Sequence, residues 1–126
     1  MKALLVRLGA PETDGNSVAS MFVFHDGKFK HGREIDIEVT GDSSGTLQSN
    51  VIYVENAAEF KIDVEDSERH EMSSNVRADF HTYVFEWLRD RIAWYADDQL
   101  PREKKGSRNI PTLPTKFMMS LWMFDG

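Results

Sequence analysis

The most constraining feature of this sequence is the form of its apolar segments, which are short and rich in β-branched and aromatic residues. Gly, Asp, Asn, Ser and Pro separate these segments, and apolar residues rarely recur at the helical period. Such a pattern is typical of antiparallel strands and predicts an all-β protein. The predicted strands are Leu4–Leu8, Ala19–Phe24, Glu34–Val39, Leu47–Val54, Glu59–Val64, His81–Trp87, Ile92–Tyr95 and Lys116–Trp122.

Length and composition limit the class of protein. The chain has 126 residues, which allows one domain at most, and 11% of them are aromatic, enough to fill a core. The net charge is −6 and the main basic run, residues 102–105, is short, so we expect no nucleic-acid partner. The absence of cysteine excludes a disulfide framework and a cysteine nucleophile. The apolar stretch at residues 3–8 is too short for a membrane span or a signal peptide, so we expect no membrane partner.

A meander of three strands is predicted in the second half of the chain. Segment His81–Trp87 alternates aromatic with other side chains, so its aromatic face should be buried. A turn at residues 88–91 leads into Ile92–Tyr95, and Asp97 and Asp98 should form the next tight hairpin.

The polar segments between strands are predicted to be exposed connections. Residues 63–75 have few apolar side chains, and we interpret them as a loop with solvated acids. Those acids are Glu65, Asp66, Glu68 and Glu71. Pro101, Pro111 and Pro114 bracket a second surface connection. His81 opens an aromatic strand, and we interpret it as a hydrogen-bonded structural residue rather than a base.

The last predicted strand has two faces of different character. One face is apolar and is predicted to lie in the core; it consists of Phe117, Met119 and Leu121. The other face fits either the core or the lining of a cleft; it consists of Met118, Ser120 and Trp122.

The segment with the most chemical information is residues 34–38, in which acids alternate with isoleucine. A strand would place Glu34, Asp36 and Glu38 on one face and the isoleucines on the other. The basic residues nearest in sequence, Lys30 and Arg33, do not lie on the face of the acids. The pattern alone fits a solvated strand face and a catalytic acid cluster about equally well.

The spacing of the two glutamates is compatible with glycosidase chemistry. Their Cα atoms would be about 13 Å apart along a strand, and curvature and side-chain lean could bring the carboxyl groups to the roughly 5–5.5 Å of a retaining glycosidase. Mutual repulsion would hold one carboxyl group protonated while the other is ionised. Asp36, between them, would influence the proton affinity of both.

Residues 34–38 resemble the signature of glycoside hydrolase family 16, which includes lichenases, laminarinases, agarases, carrageenases and xyloglucan transglycosylases. Four other blocks resemble the family in the same order, and together the five cover nearly the whole chain. These blocks are residues 15–24, 48–50, 80–95 and 114–122. The spacing of the acids, with no residue inserted before the second glutamate, is similar to that of lichenases and xyloglucan transglycosylases.

The resemblance implies a role for each matching residue. Glu34 matches the nucleophile, Asp36 the assisting acid and Glu38 the general acid/base. Gln48 and Asn50 match positions on the adjacent strand that hydrogen-bond sugar hydroxyls. A further match, Trp122, corresponds to an aromatic residue that lines the cleft. We expect no cofactor and no metal ligand among these site residues.

The resemblance also implies a fold, a partner and a location. We expect an antiparallel β-sandwich, a concanavalin-like jelly roll, in which residues 1–126 form one partial domain that is incomplete at both ends. The expected partner is a polysaccharide, a β-glucan or galactan, and the expected location is extracellular or periplasmic. Sheet edges left open would be covered by oligomerisation. The alternatives are a non-catalytic glycan-binding module or a truncated, inactive fragment of the same sandwich.

Overall fold

A computed structural model describes residues 4–9, 17–25, 31–41, 46–56, 62, 64–73, 75–76, 80–106 and 110–123, with the backbone alone for residues 4–9 and 64. All regular structure in these ranges is β-strand. The strands are β1 (Leu4–Gly9), β2 (Ser17–His25), β3 (Gly32–Thr40), β4 (Thr46–Val54), β5 (Val64–Glu65), β6 (Glu68–Glu71), β7 (Phe80–Trp87), β8 (Arg91–Ala96), β9 (Gln99–Lys105) and β10 (Lys116–Met123).

The strands form two antiparallel sheets. One sheet has the order β1-β7-β8-β9; the other has the order β10-β2-β3-β4-β5, with β6 also paired to β4. This architecture confirms the predicted all-β sandwich. Within the described ranges, no helix is long and apolar enough to cross a membrane.

The core lies between the two sheets and contains alternate side chains from the strands of both. The largest fully buried side chains include Trp94, Tyr83 and Phe85 from one sheet, packed in a cluster that contains Ile35 and Ile37 from the other. Full burial of an aliphatic or aromatic side chain of this size contributes about 1.5–3 kcal/mol. The period-two pattern of β3 and β7 therefore positions both strands as the sequence predicted.

The predicted meander is confirmed, and its third strand, for which no bounds were predicted from the sequence, is β9. Asp97 and Asp98 connect β8 to β9 in a hairpin closed by the Ala96–Gln99 pair. Asp97 has a φ of 50°, a left-handed conformation that aspartate tolerates better than most residues. The expectation of a loop from Pro101 onward was wrong, because residues 99–105 form β9. Since β9 is an edge strand, a proline that donates no hydrogen bond is acceptable there.

Residues 64–71 are not the exposed loop that the sequence predicted. Strands β5 and β6 both pair with β4, and the amide groups of Val51 and Asp66 donate to each other's carbonyl oxygens at 3.2 and 3.0 Å. His70 is buried, and its Nε2 lies 2.8 Å from Ser49 Oγ. The segment is polar because its inward side chains bond to polar partners, so hydrophobic alternation could not reveal it. Of the strand predicted at Glu59–Val64, most positions lie outside the described residues.

Strand β10 is exposed on both faces. Phe117, Met119 and Leu121 are 42, 57 and 64% exposed, so the prediction that they belong to the core was wrong. Strand β10 is the edge of its sheet, and the part of the second sheet that the structure describes does not cover it.

Candidate active site

The alternating acids of β3 lie on one face of the six-stranded sheet, which we call the acid face. Glu34, Asp36 and Glu38 pair in continuous antiparallel register with β2 on one side and β4 on the other. Because no bulge interrupts either ladder, all three side chains remain on the same face. Ile35 and Ile37, on the opposite face, are 0 and 2% exposed and anchor the strand in the core.

Cross-strand partners extend each acid into a row of side chains on the acid face. The row of Glu34 contains Lys116, Phe24, Ile52 and Glu65. The row of Asp36 contains Met118, Phe22 and Asn50. The row of Glu38 contains Ser120, Ser20, Gln48 and Arg69.

Asp36 is the most buried of the three acids, with 3% of its surface exposed. It is shorter than its neighbours on the strand and lies between Phe22 and Asn50 on the adjacent strands. Burial raises its pKa to about 8, and the negative charges of Glu38 and others nearby add to this effect, while Arg102 opposes it. This raised pKa favours the protonated, neutral form of Asp36 at neutral pH.

The two glutamates also bind protons more tightly than free glutamate does. Burial, followed by repulsion from Glu38, raises the pKa of Glu34 to about 7. Burial, followed by repulsion from Glu65, raises the pKa of Glu38. Since the acids interact, they titrate as a coupled group in which at least one proton is retained near neutrality.

The two predicted sugar-binding residues on β4 both contact acids. Gln48 Nε2 donates to Glu38 Oε2 at 3.3 Å, and Asn50 Nδ2 donates to Glu65 Oε1 at 3.3 Å. Gln48 is half-buried and accessible from the acid face, whereas Asn50 is only 4% exposed. The geometry therefore gives Gln48 better access to a ligand than Asn50.

Trp122 lies on the acid face of β10, in the row next to that of Glu38. It is 45% exposed and thus presents a ring surface to solvent. Ser120, on the same face, shares a 2.7 Å hydrogen bond with Ser20, which ties β10 to β2 beside Glu38. This face of β10 is therefore exposed beside the acids and does not belong to the core.

Sequence reasoning missed three charged residues near the acids. Glu65 and Arg69 lie on the acid face because β5 and β6 pair with β4. Arg102 belongs to β9 of the four-stranded sheet. It lies against the core side of the six-stranded sheet and forms ion pairs there with Asp66 and Glu68. Of the four acids predicted to be solvated on a loop, Glu65, Glu68 and Glu71 are exposed as expected but lie on strands, and Asp66 is partly buried in ion pairs. Alternation along β9 did not signal Arg102, because Leu100 is 49% exposed and the pairing of β8 with β9 shifts register between Trp94 and Ala96.

Other candidate groups have structural explanations. His81 is held through Nδ1 by Asp97 Oδ2 at 2.8 Å and through Nε2 by the carbonyl oxygen of Asn75 at 2.9 Å. Arg33 donates to the carbonyl of Val54 and lies over the ring of Tyr53, away from the acid face, as the sequence predicted. Among the described residues, no group of three His, Asp or Glu side chains is arranged to hold a metal ion.

A surface cavity of about 840 Å³ lies elsewhere on the molecule. Its lining includes Trp87, Leu88, Pro111 and Leu113, and it contains none of the acid-face residues. The Trp87 Nε1 group at its wall donates to the carbonyl oxygen of Pro111 at 2.7 Å. Paired carboxyl groups are absent from this cavity, so the acid face remains the candidate active site.

An antiparallel sandwich that carries neighbouring carboxyl groups of raised pKa on one sheet face has the type of acid cluster that glycoside hydrolases use. Comparison with known proteins identifies the family of the chain. Residues 3–125 match the family model of glycosyl hydrolases family 16, and the chain belongs to that family.

Relatives of the chain are named as glucanases. A beta-glucanase of Acetivibrio thermocellus is 38% identical over 94 residues, which are 74% of this chain and 25% of the relative. The structure of a Bacillus licheniformis beta-glucanase superposes with a TM-score of 0.79 and 28% identity, covering 99% of this chain and 54% of that one. A prokaryotic beta-1,3-1,4-glucanase (lichenase) from a mouse hindgut metagenome gives a TM-score of 0.75 and 27% identity, over 97% and 53% of the two chains. The chain therefore spans about a quarter of that curated relative and about half of each solved structure.

Proposed function

We propose that residues 1–126 form part of a single domain that cleaves internal β-glycosidic bonds of a polysaccharide with retention of configuration. The observation that carries this proposal is the set of three acids on one face of β3, two of which have a pKa of about 7 or 8. Such proton affinities allow one carboxyl group to be ionised while a neighbour is protonated at neutral pH. The glucanase relatives support the same reaction.

The first step of the proposed reaction is displacement by Glu34. Its ionised carboxylate attacks the anomeric carbon while the bond from that carbon to the leaving oxygen breaks. The protonated carboxyl group of Glu38 transfers its proton to the leaving oxygen, which departs as a sugar hydroxyl. The products are a glycosyl ester of Glu34 and an ionised Glu38.

The second step returns both carboxyl groups to their initial states. Ionised Glu38 removes a proton from water, and the water oxygen attacks the anomeric carbon and displaces Glu34. Two inversions leave the configuration retained. A sugar hydroxyl in place of water gives transglycosylation by the same steps. Asp36, protonated between the two glutamates, limits their mutual repulsion and stays neutral throughout.

The substrate that we propose first is a β-glucan of mixed 1,3 and 1,4 linkage. The relatives named above are beta-glucanases, and one of them is described as a beta-1,3-1,4-glucanase. Gln48 would orient sugar hydroxyls beside Glu38, Asn50 would do so beside Asp36, and Trp122 would stack on a sugar ring farther along the face. Such a substrate also implies that the protein acts outside the cell or in the periplasm.

The deciding experiment is a reducing-end assay against mixed-linkage glucan, β-1,3-glucan, xyloglucan, agarose and carrageenan. We expect turnover of mixed-linkage glucan, and none from Glu34→Gln, which keeps the size of the side chain but cannot attack. Near-ultraviolet circular dichroism and affinity electrophoresis on the same glucan should show that the variant folds and binds. Loss of fold in Glu34→Gln would show that the acids are structural.

A non-catalytic glycan-binding module is the second candidate. The exposed ring of Trp122 favours it, because a solvent-facing aromatic side chain can bind sugar without any acid. A folded wild-type chain that binds glucan but turns over none of the panel would support this candidate over hydrolysis.

We propose that a second copy of the chain covers the open edge of the six-stranded sheet at β10. The core-side face of β10 is apolar and exposed among the described residues, from Phe117 to Met123. Sedimentation velocity across a concentration series tests this arrangement; a single monomer species at all concentrations would contradict it.

A further inference from the structure

Arg102 is a buried cation directly behind the acid face. It lies on the inner side of β9 opposite Trp94, its register partner on β8, and is 8% exposed. Its guanidinium carbon is 4.8 Å from the centre of the Trp94 ring, which is fully buried. A buried cation needs compensating partners, so the contacts of Arg102 define its role.

Arg102 connects its own sheet to the sheet that carries the acids. One terminal nitrogen, Nη1, donates to the carbonyl oxygen and Oγ of Ser49 at 3.3 and 3.0 Å and to the carbonyl oxygen of Asp66 at 3.0 Å. The other, Nη2, donates to Asp66 Oδ1 at 2.7 Å. Nε lies 3.2 Å from a carboxylate oxygen of Glu68. The planar fork of arginine makes this set of contacts possible, and a lysine could not reproduce it.

Trp94 and Ser49, which both contact Arg102, are each connected to Asp36. Trp94 Nε1, beneath the guanidinium, donates to the backbone carbonyl oxygen of Asp36 at 3.0 Å. Ser49 immediately precedes Asn50, which is the register partner of Asp36. The positive charge of Arg102 also lowers the pKa of Asp36, against the effect of the acids around it.

We propose that Arg102 is a positioning residue for the reaction, which fixes β3 and β4 beneath Asp36 from the core side and balances the negative charge of the acid face. The role in catalysis rests on the proposed glycanase function. Arg102 does not contact substrate in this proposal; it acts through Trp94, Ser49 and the electric field at Asp36. The sequence of β3, which carries the acids, gives no indication that Arg102 is involved.

The charged groups around this arrangement come from several strands. Asp36 is surrounded by Glu34 and Glu38 on its own strand and by Glu65 on β5. Arg102 is surrounded by Asp66, Glu68 and the buried His70, whose pKa is lowered mainly by burial. Lys104, two residues along β9, pairs with the other oxygen of Asp66 at 2.5 Å. Lys104 therefore provides a matched control, since it is a second cation bonded to Asp66, whereas Arg102 is the cation that lowers the pKa of Asp36.

The experiment compares Arg102→Met, Arg102→Lys and Lys104→Met with the wild-type chain. Side-chain carboxyl ¹³C chemical shifts, followed by NMR against pH, report the protonation of Asp36 without any need for turnover. Values of kcat and KM on mixed-linkage glucan report positioning. We expect Asp36 in Arg102→Met to lose its proton at higher pH than in the wild type, with kcat lower by about 10- to 100-fold and KM nearly unchanged.

Arg102→Lys separates charge from geometry. It should leave the titration of Asp36 close to the wild type, because the charge remains, and lower kcat several-fold, because the contacts to Ser49 and Asp66 cannot all be kept. Lys104→Met should leave the Asp36 titration, kcat and KM unchanged. Each of these results supports the proposal.

Other results would overturn the proposal. These are an Asp36 titration in Arg102→Met equal to the wild type, an equal shift in Lys104→Met, or wild-type kcat in Arg102→Lys. If Arg102→Met does not fold, Arg102→Lys decides, and an unfolded Arg102→Lys would assign Arg102 to stability alone. If the wild-type chain turns over no glycan, the proposed function fails and the Asp36 titration alone decides the inference.

Discussion

Asp36 and Asn50 are direct cross-strand partners on β3 and β4, and each has a buried Oδ1 atom with no hydrogen-bond partner among the described residues. The Cβ atoms of such partners are about 4.5–5.5 Å apart, so the two side chains are within reach of each other. Two neighbouring acceptor oxygens that share no hydrogen atom are unfavourable. Each buried acceptor left without a hydrogen bond costs about 1–3 kcal/mol of stability. A proton on Asp36 would supply the missing donor, in agreement with its pKa of about 8.

The first prediction is that protonated Asp36 makes stability depend on pH. The folded-state pKa of Asp36 is about 8 and the unfolded value about 3.9, so the folded state holds the extra proton between these values. Stability from this group is therefore fully present below about pH 4 and is lost as pH rises through about 8. Urea unfolding should show that the stability of the wild type relative to Asp36→Asn falls by a few kcal/mol across this range.

Asp36→Asn is the matched variant because its amide keeps the shape of a protonated carboxyl group and can donate to Asn50. Asp98→Asn, at the exposed hairpin, is the control and should keep the pH dependence of the wild type. Parallel stability curves for the wild type and Asp36→Asn would mean that Asp36 is ionised in the folded protein.

The second prediction concerns Glu38 as the proton donor. Glu38→Gln should lower kcat/KM on mixed-linkage glucan by about 10²–10⁴-fold, because the leaving sugar oxygen then departs without a proton. A dinitrophenyl glycoside needs little protonation, so its first step should be much less affected. The wild-type rate should fall at high pH as Glu38 loses its proton, later than an ordinary glutamate would because its pKa is raised, and the variant should lack this decline.

Glu34→Gln is the comparison for this prediction, since removal of the nucleophile should abolish turnover of both substrates. If Glu38→Gln lost activity equally on both, Glu38 would not be the proton donor.

The third prediction concerns Trp122 as a sugar platform. Two strand spacings and two residues separate it from Glu38, which corresponds to about 12 Å, a distance that lies beyond the sugar bonded at the cleavage point. Trp122→Ala should therefore raise KM for long glucan chains more than it lowers kcat, because it removes binding remote from the cleaved bond. Phe117→Ala, an aromatic truncation on the opposite face of β10, should leave KM unchanged. Equal effects of the two variants would show that β10 acts only through packing.

The sequence was informative where alternation alone determines structure. The isoleucines of β3 and the aromatic residues of β7 enter the core at every second position, and the three acids of β3 share a face for the same reason. One strand was therefore enough to predict the relation among Glu34, Asp36 and Glu38.

Long-range pairing explains what the sequence could not reveal. Glu65 and Arg69 reach the acid face only because two short polar strands pair with β4, and neither strand has an apolar alternation. Arg102 reaches the back of that sheet from the other sheet, through partners more than 30 residues away in sequence. Residues of this kind become visible only when both sheets are in place.

The fourth prediction concerns the edge strand β10, where alternation was a poor guide. Leu121 is 64% exposed although it alternates with acid-face residues, whereas Leu47 on β4 is 1% exposed. Leu47→Ala should lower the free energy of unfolding by about 2–5 kcal/mol through lost burial and a cavity. At protein concentrations where sedimentation velocity shows the monomer, Leu121→Ala should change it by less than about 0.5 kcal/mol, because the side chain buries little surface in the single chain. Urea unfolding of the two variants at one pH measures both values, and a loss of several kcal/mol in Leu121→Ala would mean that another surface, from the same chain or from a second copy, covers this face in solution.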